Sequence, residues 1–246
     1  ICSYSPRLNS VMPIWIPPII AFLLGSIPFG LLIAKSQGIN IREHGSGNIG
    51  ATNVLRVVGK KYGITCFVLD FFKGMIPALL GISLIQYAGQ DQSMVISAIP
   101  QFGTTLPSSE STTAQTMQLV TGLCAILGHN YSPWVNFKGG KGIATSAGVF
   151  SAFMPAAIPI LIVLWCLFFF TTRYVSVASI AVSIALPLTV ISGSWFHGKI
   201  ADGSWNKPLF FFSVFIGAMA VWKHRSNIVK LINGTENRFT PKSKKS

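Results

Sequence analysis

Charge is what this sequence has least of: Asp, Glu, Lys and Arg together make up 10% of its 246 residues, while half are apolar. So few charges cannot clothe a water-soluble globule, and the positive mean hydropathy assigns the chain to a membrane. Carboxylates are the scarcer sign, with six Asp and Glu against 19 Lys and Arg and a net charge of +13. Anionic lipid headgroups account for that excess without nucleic acid as a partner. Cysteine is sparse as well: of four, Cys66, Cys124 and Cys166 lie inside apolar runs with no paired spacing, which argues against a disulfide framework or a thiolate metal site. No internal repeat, linker or soluble insertion interrupts the sequence, so residues 1–246 are read as one integral membrane domain. Nothing in it calls for a metal or a cofactor, or for more than a monomer.

What the sequence does contain is a series of charge-free runs over residues 8–34, 74–90, 111–137, 142–172, 174–198 and, shorter, 208–222. Since about 20 residues of helix cross the hydrocarbon, most of these runs are long enough to span. The sequence opens on Ile1, so residues 1–12 are treated as an extension on which nothing functional rests. The run after Met12 is too long for a signal-peptide core and lacks a small-x-small cleavage site, and is read as a retained first span.

The basic residues set the orientation. Residues 88–118 hold no Lys or Arg and only Asp91 and Glu110, whereas residues 36–61 hold Arg42, Arg56, Lys60 and Lys61. The positive-inside rule assigns the second segment to the cytoplasm. Lys138, Lys141 and the tail after Trp222, which carries seven Lys or Arg, follow it to the same face. Three apolar segments separate Lys141 from that tail, and an odd number of crossings would put the tail on the wrong side. The run 142–172 is therefore predicted to break at Pro155 or Pro159 into two helices. The expected fold is an all-α polytopic bundle of about seven transmembrane helices, fewer if the 208–222 segment inserts only in part.

Three polar islands carry the chemistry. The first, residues 45–56 (GSGNIGATNVLR), has Gly45, Gly47 and Gly50 in G-x-G-x-x-G spacing, with Asp70 twenty residues beyond Gly50. A dinucleotide site would need a preceding strand and a soluble βαβ unit, and a membrane run stands there instead. What remains is the physical use of such glycines: successive unshielded amides wrap a phosphate. Ser46, Asn48, Thr52 and Asn53 can add hydrogen bonds, and Arg56 a bidentate clamp. The same letters also suit a tight turn before a helix.

The second island, residues 128–142 (GHNYSPWVNFKGGKG), sets Lys141 among Gly139, Gly140 and Gly142. It lacks the upstream glycine and Ser/Thr of a nucleoside-triphosphate loop, yet a cation beside free amides suits a phosphate. His129 reads equally as a structural hydrogen-bonder or a site residue. In the third island, residues 223–239, His224 and Asn227 share a helical face beside the apolar Ile228, Leu231 and Ile232, and Gly234 ends the helix. Lys230 and the basic tail 240–246, with Lys242, Lys244 and Lys245, read as lipid contacts. Asp70 and Lys73 face each other one turn apart inside an apolar segment, where buried charge signals function. Arg173, between two spans, reads as an interface anchor, and Glu236 as a partner for nearby cations.

In this order and spacing the islands resemble the three signature motifs of the PlsY family. The likeness extends to GSIPFG (25–30), IREHGSG (41–47), LDFFKG (69–74) and TRYVS (172–176), and covers the chain from about Met12 to Phe239. It implies a bacterial inner-membrane acyltransferase with its active site facing the cytoplasm, in which acyl phosphate acylates the 1-hydroxyl of glycerol 3-phosphate. The product would be 1-acylglycerol 3-phosphate, an early step of phospholipid synthesis. Carried over position by position, Ser46, Arg56, Lys141, His224 and Asn227 are the expected catalytic set. Gly47, Asn48, Gly50, Thr52, Asn53, Lys73, His129, Gly139, Gly140, Gly142 and Ser176 are the expected substrate contacts. Two rivals stand beside it: an acyl-CoA-dependent acyltransferase using the His-x4-Asp pattern of His197 and Asp202, and a phosphate or phospholipid transporter, against which the lack of an inverted repeat argues.

Overall fold

Proline sets the first feature of the fold. In the computed structural model, which describes residues 11–239, the first apolar run is two helices, α1 (Ile16–Ser26) and α2 (Phe29–Ser36), separated at Ile27-Pro28. Pro28 has no N–H and forces its predecessor out of the helical region; Ile27 accordingly sits at φ −60°, ψ 118°. The extension before residue 11 and the basic tail 240–246 lie outside the described residues.

The chain then forms α3 (Ala51–Val57), α4 (Lys60–Leu84), α5 (Ser111–Asn130), α6 (Ile143–Phe153), α7 (Ala157–Thr172), α8 (Val175–Phe196), α9 (Lys207–Lys223) and α10 (Arg225–Ile232). The region 16–36 as a whole, α4 and α8 are long and apolar enough to cross a membrane, and α6 and α7 are shorter apolar helices. With α5 and α9 they make seven segments, and the molecule is an all-α, polytopic membrane protein. The predicted break in the 142–172 run is present: α6 stops at Phe153 and α7 starts at Ala157, with Pro155 between them. Pro159 is accommodated in the first turn of α7, where a missing N–H costs nothing.

One departure from pure helix lies after α4. Strand β1 (Ile85–Tyr87) pairs in parallel with β2 (Thr104–Leu106), Ile85 opposite Thr104. The buried Gln118 of α5 donates to the Ile85 carbonyl (2.6 Å) and to Gln90 Oε1 (3.0 Å), and Thr104 Oγ1 donates to the Met12 carbonyl (2.6 Å).

The chain packs as two compact units, Ile1–Met154 and Pro155–Ser246. In the first, α1 lies on α5 and α4 on α6, and small residues make the approach close. A Cβ on Gly25 would stand 2.1 Å from the Ala125 carbonyl oxygen, and one on Gly148 2.0 Å from that of Phe71. Lipid tails are as apolar as leucine, so helix association in a bilayer depends on such backbone-to-backbone contact rather than on exclusion of water. In the second unit α8 packs between α7 and α9. The Arg173 carbonyl at the α7–α8 corner accepts from the Phe239 N–H (2.9 Å), and the Phe239 ring meets Phe169 edge-on at 5.7 Å.

Candidate functional site

The loop before α3 is organised by one buried side chain. Asn53, 2% exposed, accepts from the Ser46 N–H (2.9 Å) through Oδ1. Its Nδ2 faces the carbonyls of Ile41 (3.4 Å), His44 (3.1 Å) and Asn48 (2.9 Å). Gly45 and Gly47 take positive φ (62° and 68°), which lets the chain turn around that amide. Asn53 was expected to reach a phosphate. It serves instead as the spool on which the loop is wound.

Three amides of the loop are engaged within it. The N–H of Ser46 goes to Asn53, that of Gly47 to the His44 carbonyl (3.0 Å) and that of Gly50 to Asn48 Oδ1 (2.8 Å). Of the side chains, Ser46 in the loop and Arg56 in the last turn of α3 are exposed, and Asn48 in the loop and Thr52 in the first turn of α3 are half-buried.

The second island is tied at two points to the first island and the segment leading into it. Arg42 Nη2 donates to the Lys138 carbonyl, and Val135 packs on the cluster of Ala34, Ile41, Ile49, Val54 and Cys66. Partial burial lowers the Arg42 pKa from its ordinary value by desolvation, from a level so high that the guanidinium stays charged. Sequence reasoning used Arg42 only to set orientation; its place in IREHGSG was the signal that it does more. Within the island, Gly139 N–H donates to the Asn130 carbonyl (3.2 Å) and Gly140 N–H to that of His129 (3.1 Å). This folds the glycine loop back on the end of α5, with Gly140 and Gly142 buried and Lys141 half-buried between them.

Lys73 and His129, expected among the substrate contacts, are both buried. The Lys73 ammonium pairs with Asp70 Oδ1 at 2.7 Å and donates to the Ile27 carbonyl at 2.8 Å, at the α1–α2 break. A cation held by a carboxylate and a carbonyl supports the fold rather than offering charge to a ligand.

In the second unit His224 stands at the corner between α9 and α10, 3% exposed. Its Nδ1 lies 2.8 Å from the Ala220 carbonyl oxygen. A carbonyl can only accept, so Nδ1 carries the proton and in the neutral ring Nε2 holds the lone pair. Asn227 donates through Nδ2 to Glu236 Oε1 (2.8 Å), and the buried Ser176 donates to the same oxygen (3.0 Å). Glu236, expected to serve cations, instead takes two neutral donors. Ser176 and Asn227 are thereby brought together, and sequence reasoning missed the link because it joins TRYVS to the last motif.

The rival His-x4-Asp pair is not assembled as a dyad. Asp202 Oδ1 accepts from Ser204 N–H (2.8 Å) and Ser204 Oγ (2.6 Å), which lowers the carboxyl pKa, and His197 meets the Phe196 ring. Among the described residues there is no cluster of three or more His, Cys, Asp or Glu placed to hold a metal.

Against known proteins, the family model described as glycerol-3-phosphate acyltransferase matches residues 15–234. The glycerol-3-phosphate acyltransferase of Aquifex aeolicus (strain VF5) is 39% identical over 221 residues, covering 90% of this chain and 96% of the relative. That of Geotalea daltonii is 39% identical over 219 residues, covering 89% and 94%. The crystal structure of PlsY (YgiH), an integral membrane glycerol 3-phosphate acyltransferase in its glycerol 3-phosphate form, superposes with a TM-score of 0.73 at 36% identity, over 92% of this chain and 96% of that one. Motif order, helical architecture and these alignments agree along nearly the whole sequence, and the chain belongs to the PlsY family of membrane glycerol-3-phosphate acyltransferases.

Proposed function

We propose that this protein transfers an acyl group from acyl phosphate to the 1-hydroxyl of glycerol 3-phosphate at the cytoplasmic face of a bacterial inner membrane. The observation that carries this reading is the bond from Arg42 to the Lys138 carbonyl. It ties the segment that leads through Ser46 into α3, which bears Arg56, to the loop bearing Lys141, so two cations suited to phosphate belong to segments joined in one unit. Acyl phosphate is a mixed anhydride and already activated. The reaction then needs positioning and charge stabilisation more than a covalent nucleophile or a metal.

In the proposed step the glycerol oxygen bonds to the acyl carbon, the bond from that carbon to the phosphate oxygen breaks, and phosphate leaves with the electron pair. Arg56 and Ser46, with Gly47, Asn48, Gly50 and Thr52 shaping their loop, hold a phosphate; Lys141 in its setting of Gly139, Gly140 and Gly142 holds glycerol 3-phosphate. In the second unit, His224, with its Nδ1 proton on the Ala220 carbonyl, and Asn227 and Ser176, both donating to Glu236, are the further residues that the family resemblance assigns to the reaction. The hydroxyl proton passes to a phosphate oxygen, whose second pKa of about 6 makes it a competent acceptor near neutral pH. The products are 1-acylglycerol 3-phosphate and inorganic phosphate.

Purified protein supplied with glycerol 3-phosphate and either acyl phosphate or acyl-CoA tests the donor. Product from acyl phosphate alone is expected; product from the thioester alone overturns the reading. The pH profile of His224→Gln tests the proton route. Retention of the basic limb is expected, and its loss with substrate binding intact would make His224 the base. Cysteine labelling in the 86–118 segment, expected to react only from outside, tests the orientation.

A further inference from the structure

Asp70 sits in the apolar length of α4, 3% exposed, where an ionised carboxylate is expensive and marks a function. Lys73 neutralises it at 2.7 Å. A buried ion pair is nevertheless no more stabilising than a well-packed apolar pair, so neutralisation alone does not explain the two charges.

The surroundings of Asp70 suggest what they do. The same carboxylate oxygen lies 3.7 Å from Nδ1 of His129 in the last turn of α5, too long for a hydrogen bond, so the carboxylate packs against the edge of the ring. Cys66 Sγ lies 3.7 Å from the other oxygen, Oδ2, and closes that side. On the opposite edge of the imidazole lies Gly140: a Cβ there would stand 2.1 Å from Nε2 and 2.6 Å from Cε1. The backbone of the glycine loop therefore rests on the ring itself. Gly140 and Gly139 also donate to the carbonyls of His129 and Asn130, and Gly142 lies against Asn130 Oδ1. A continuous series thus runs from the Ile27 carbonyl at the α1–α2 break, through Lys73, Asp70 and His129, to the residue preceding Lys141.

We infer that Asp70 is a positioning residue for Lys141: it fixes the His129 ring, the ring fixes the backbone of Gly140, and the loop then holds the lysine ammonium at the phosphate of glycerol 3-phosphate. The inference rests on the assignment of Lys141 proposed above. Asp70 and His129 themselves touch no substrate.

The test uses the full-length protein in detergent. Asp70→Asn/Lys73→Met removes both charges together and leaves neither ion alone in the span; His129→Gln removes the ring. Each is expected to raise the KM for glycerol 3-phosphate about tenfold, as displacement of a binding group by a fraction of an ångström to 1 Å would, with a smaller change in kcat and in the KM for acyl donor. Glycerol 3-phosphate binding measured by titration calorimetry should weaken in parallel. An unchanged KM for glycerol 3-phosphate in whichever of the two variants retains the wild-type unfolding transition overturns the proposal. So does an equal rise in both substrates' KM values, which is what general loosening of the bundle would give.

Lys141→Ala separates the proposal from its premise. If Lys141→Ala weakens glycerol 3-phosphate binding and Asp70→Asn/Lys73→Met adds less than twofold in that background, Asp70 acts through Lys141. If the two effects multiply in full, the route through Lys141 is wrong while the role of Lys141 stands. If Lys141→Ala leaves binding intact, the assignment of Lys141 itself fails, and the proposal with it.

Discussion

The Ser132 hydroxyl donates a 2.6 Å hydrogen bond to the carbonyl oxygen of Ser26, 106 residues earlier in the chain. Ser26 ends α1 at the proline break, where a helical carbonyl has lost its partner, and the Ser26 hydroxyl in turn accepts from Trp134 Nε1 at 2.8 Å. With Lys73 on the next carbonyl, Ile27, every group exposed at this corner that these three side chains reach is answered by the second island or by α4. Irregular backbone at membrane depth persists only when protein satisfies it in this way.

Ser132→Ala is accordingly expected to destabilise the first unit. Both serines are buried, at 0% and 1% exposure, so the mutation strands the Ser26 carbonyl, at a cost of about 1–3 kcal/mol. Thermal unfolding in detergent should show a lowered transition, and a transition equal to wild type would remove this bond from the account of the corner.

A second prediction concerns Asn53. Asn53→Ala removes the spool of the loop before α3 and leaves the Ser46 amide and several carbonyls without it. Asn53→Asp keeps the acceptor for Ser46 but sets a carboxylate against the carbonyls of His44 and Asn48. Repulsion inside a buried site costs more than an absent bond, so the aspartate variant is expected to be the worse of the two. Acyltransferase activity should fall by at least tenfold in both, with Asp below Ala; the reverse order would mean that the amide donors are not what matters.

Much of this was legible in the sequence, and the rest fails for identifiable reasons. Pro155 predicted the interruption between α6 and α7 because proline acts through its own backbone, and no tertiary contact is needed to know it. The role of Asn53 was hidden because Gly, Ser, Asn and Thr serve an anion and a tight turn equally well, and only the direction of the amide distinguishes them. Asp70 and Lys73 were visible as a pair one helical turn apart. The third member, His129, was not, because its approach depends on how α4 meets α5. Glu236 was read as a partner of cations from the charge around it, whereas its hydrogen bonds go to Ser176 and Asn227. Local pattern predicts what a residue can do, and packing selects among the options.

The His-x4-Asp pattern yields a prediction of no effect. Asp202 is held by Ser204 and lies fully exposed, so Asp202→Asn should leave acyl transfer within about twofold of wild type, the range of surface substitutions outside any site. A large loss of activity would revive the dyad.

Glu236 offers the sharpest comparison, because one oxygen serves two donors. In Glu236→Gln the side-chain carbonyl can still accept from Asn227 Nδ2 and Ser176 Oγ, though without the charge that roughly doubles such bonds. In Glu236→Ala both donors lose this acceptor, and for the buried Ser176 hydroxyl that loss costs about 1–3 kcal/mol. Activity is therefore expected to fall a few-fold in the glutamine variant and on the order of a hundredfold in the alanine variant, since about 2.7 kcal/mol corresponds to two decades. If the carboxylate acts by aiming Asn227, then Asn227→Ala should already contain most of the loss, and combining it with Glu236→Ala should add little. Full additivity would place Glu236 in a role independent of Asn227, through Ser176 and the α7–α8 corner. A glutamine variant as damaged as alanine would show that charge, rather than acceptor geometry, is what this position supplies.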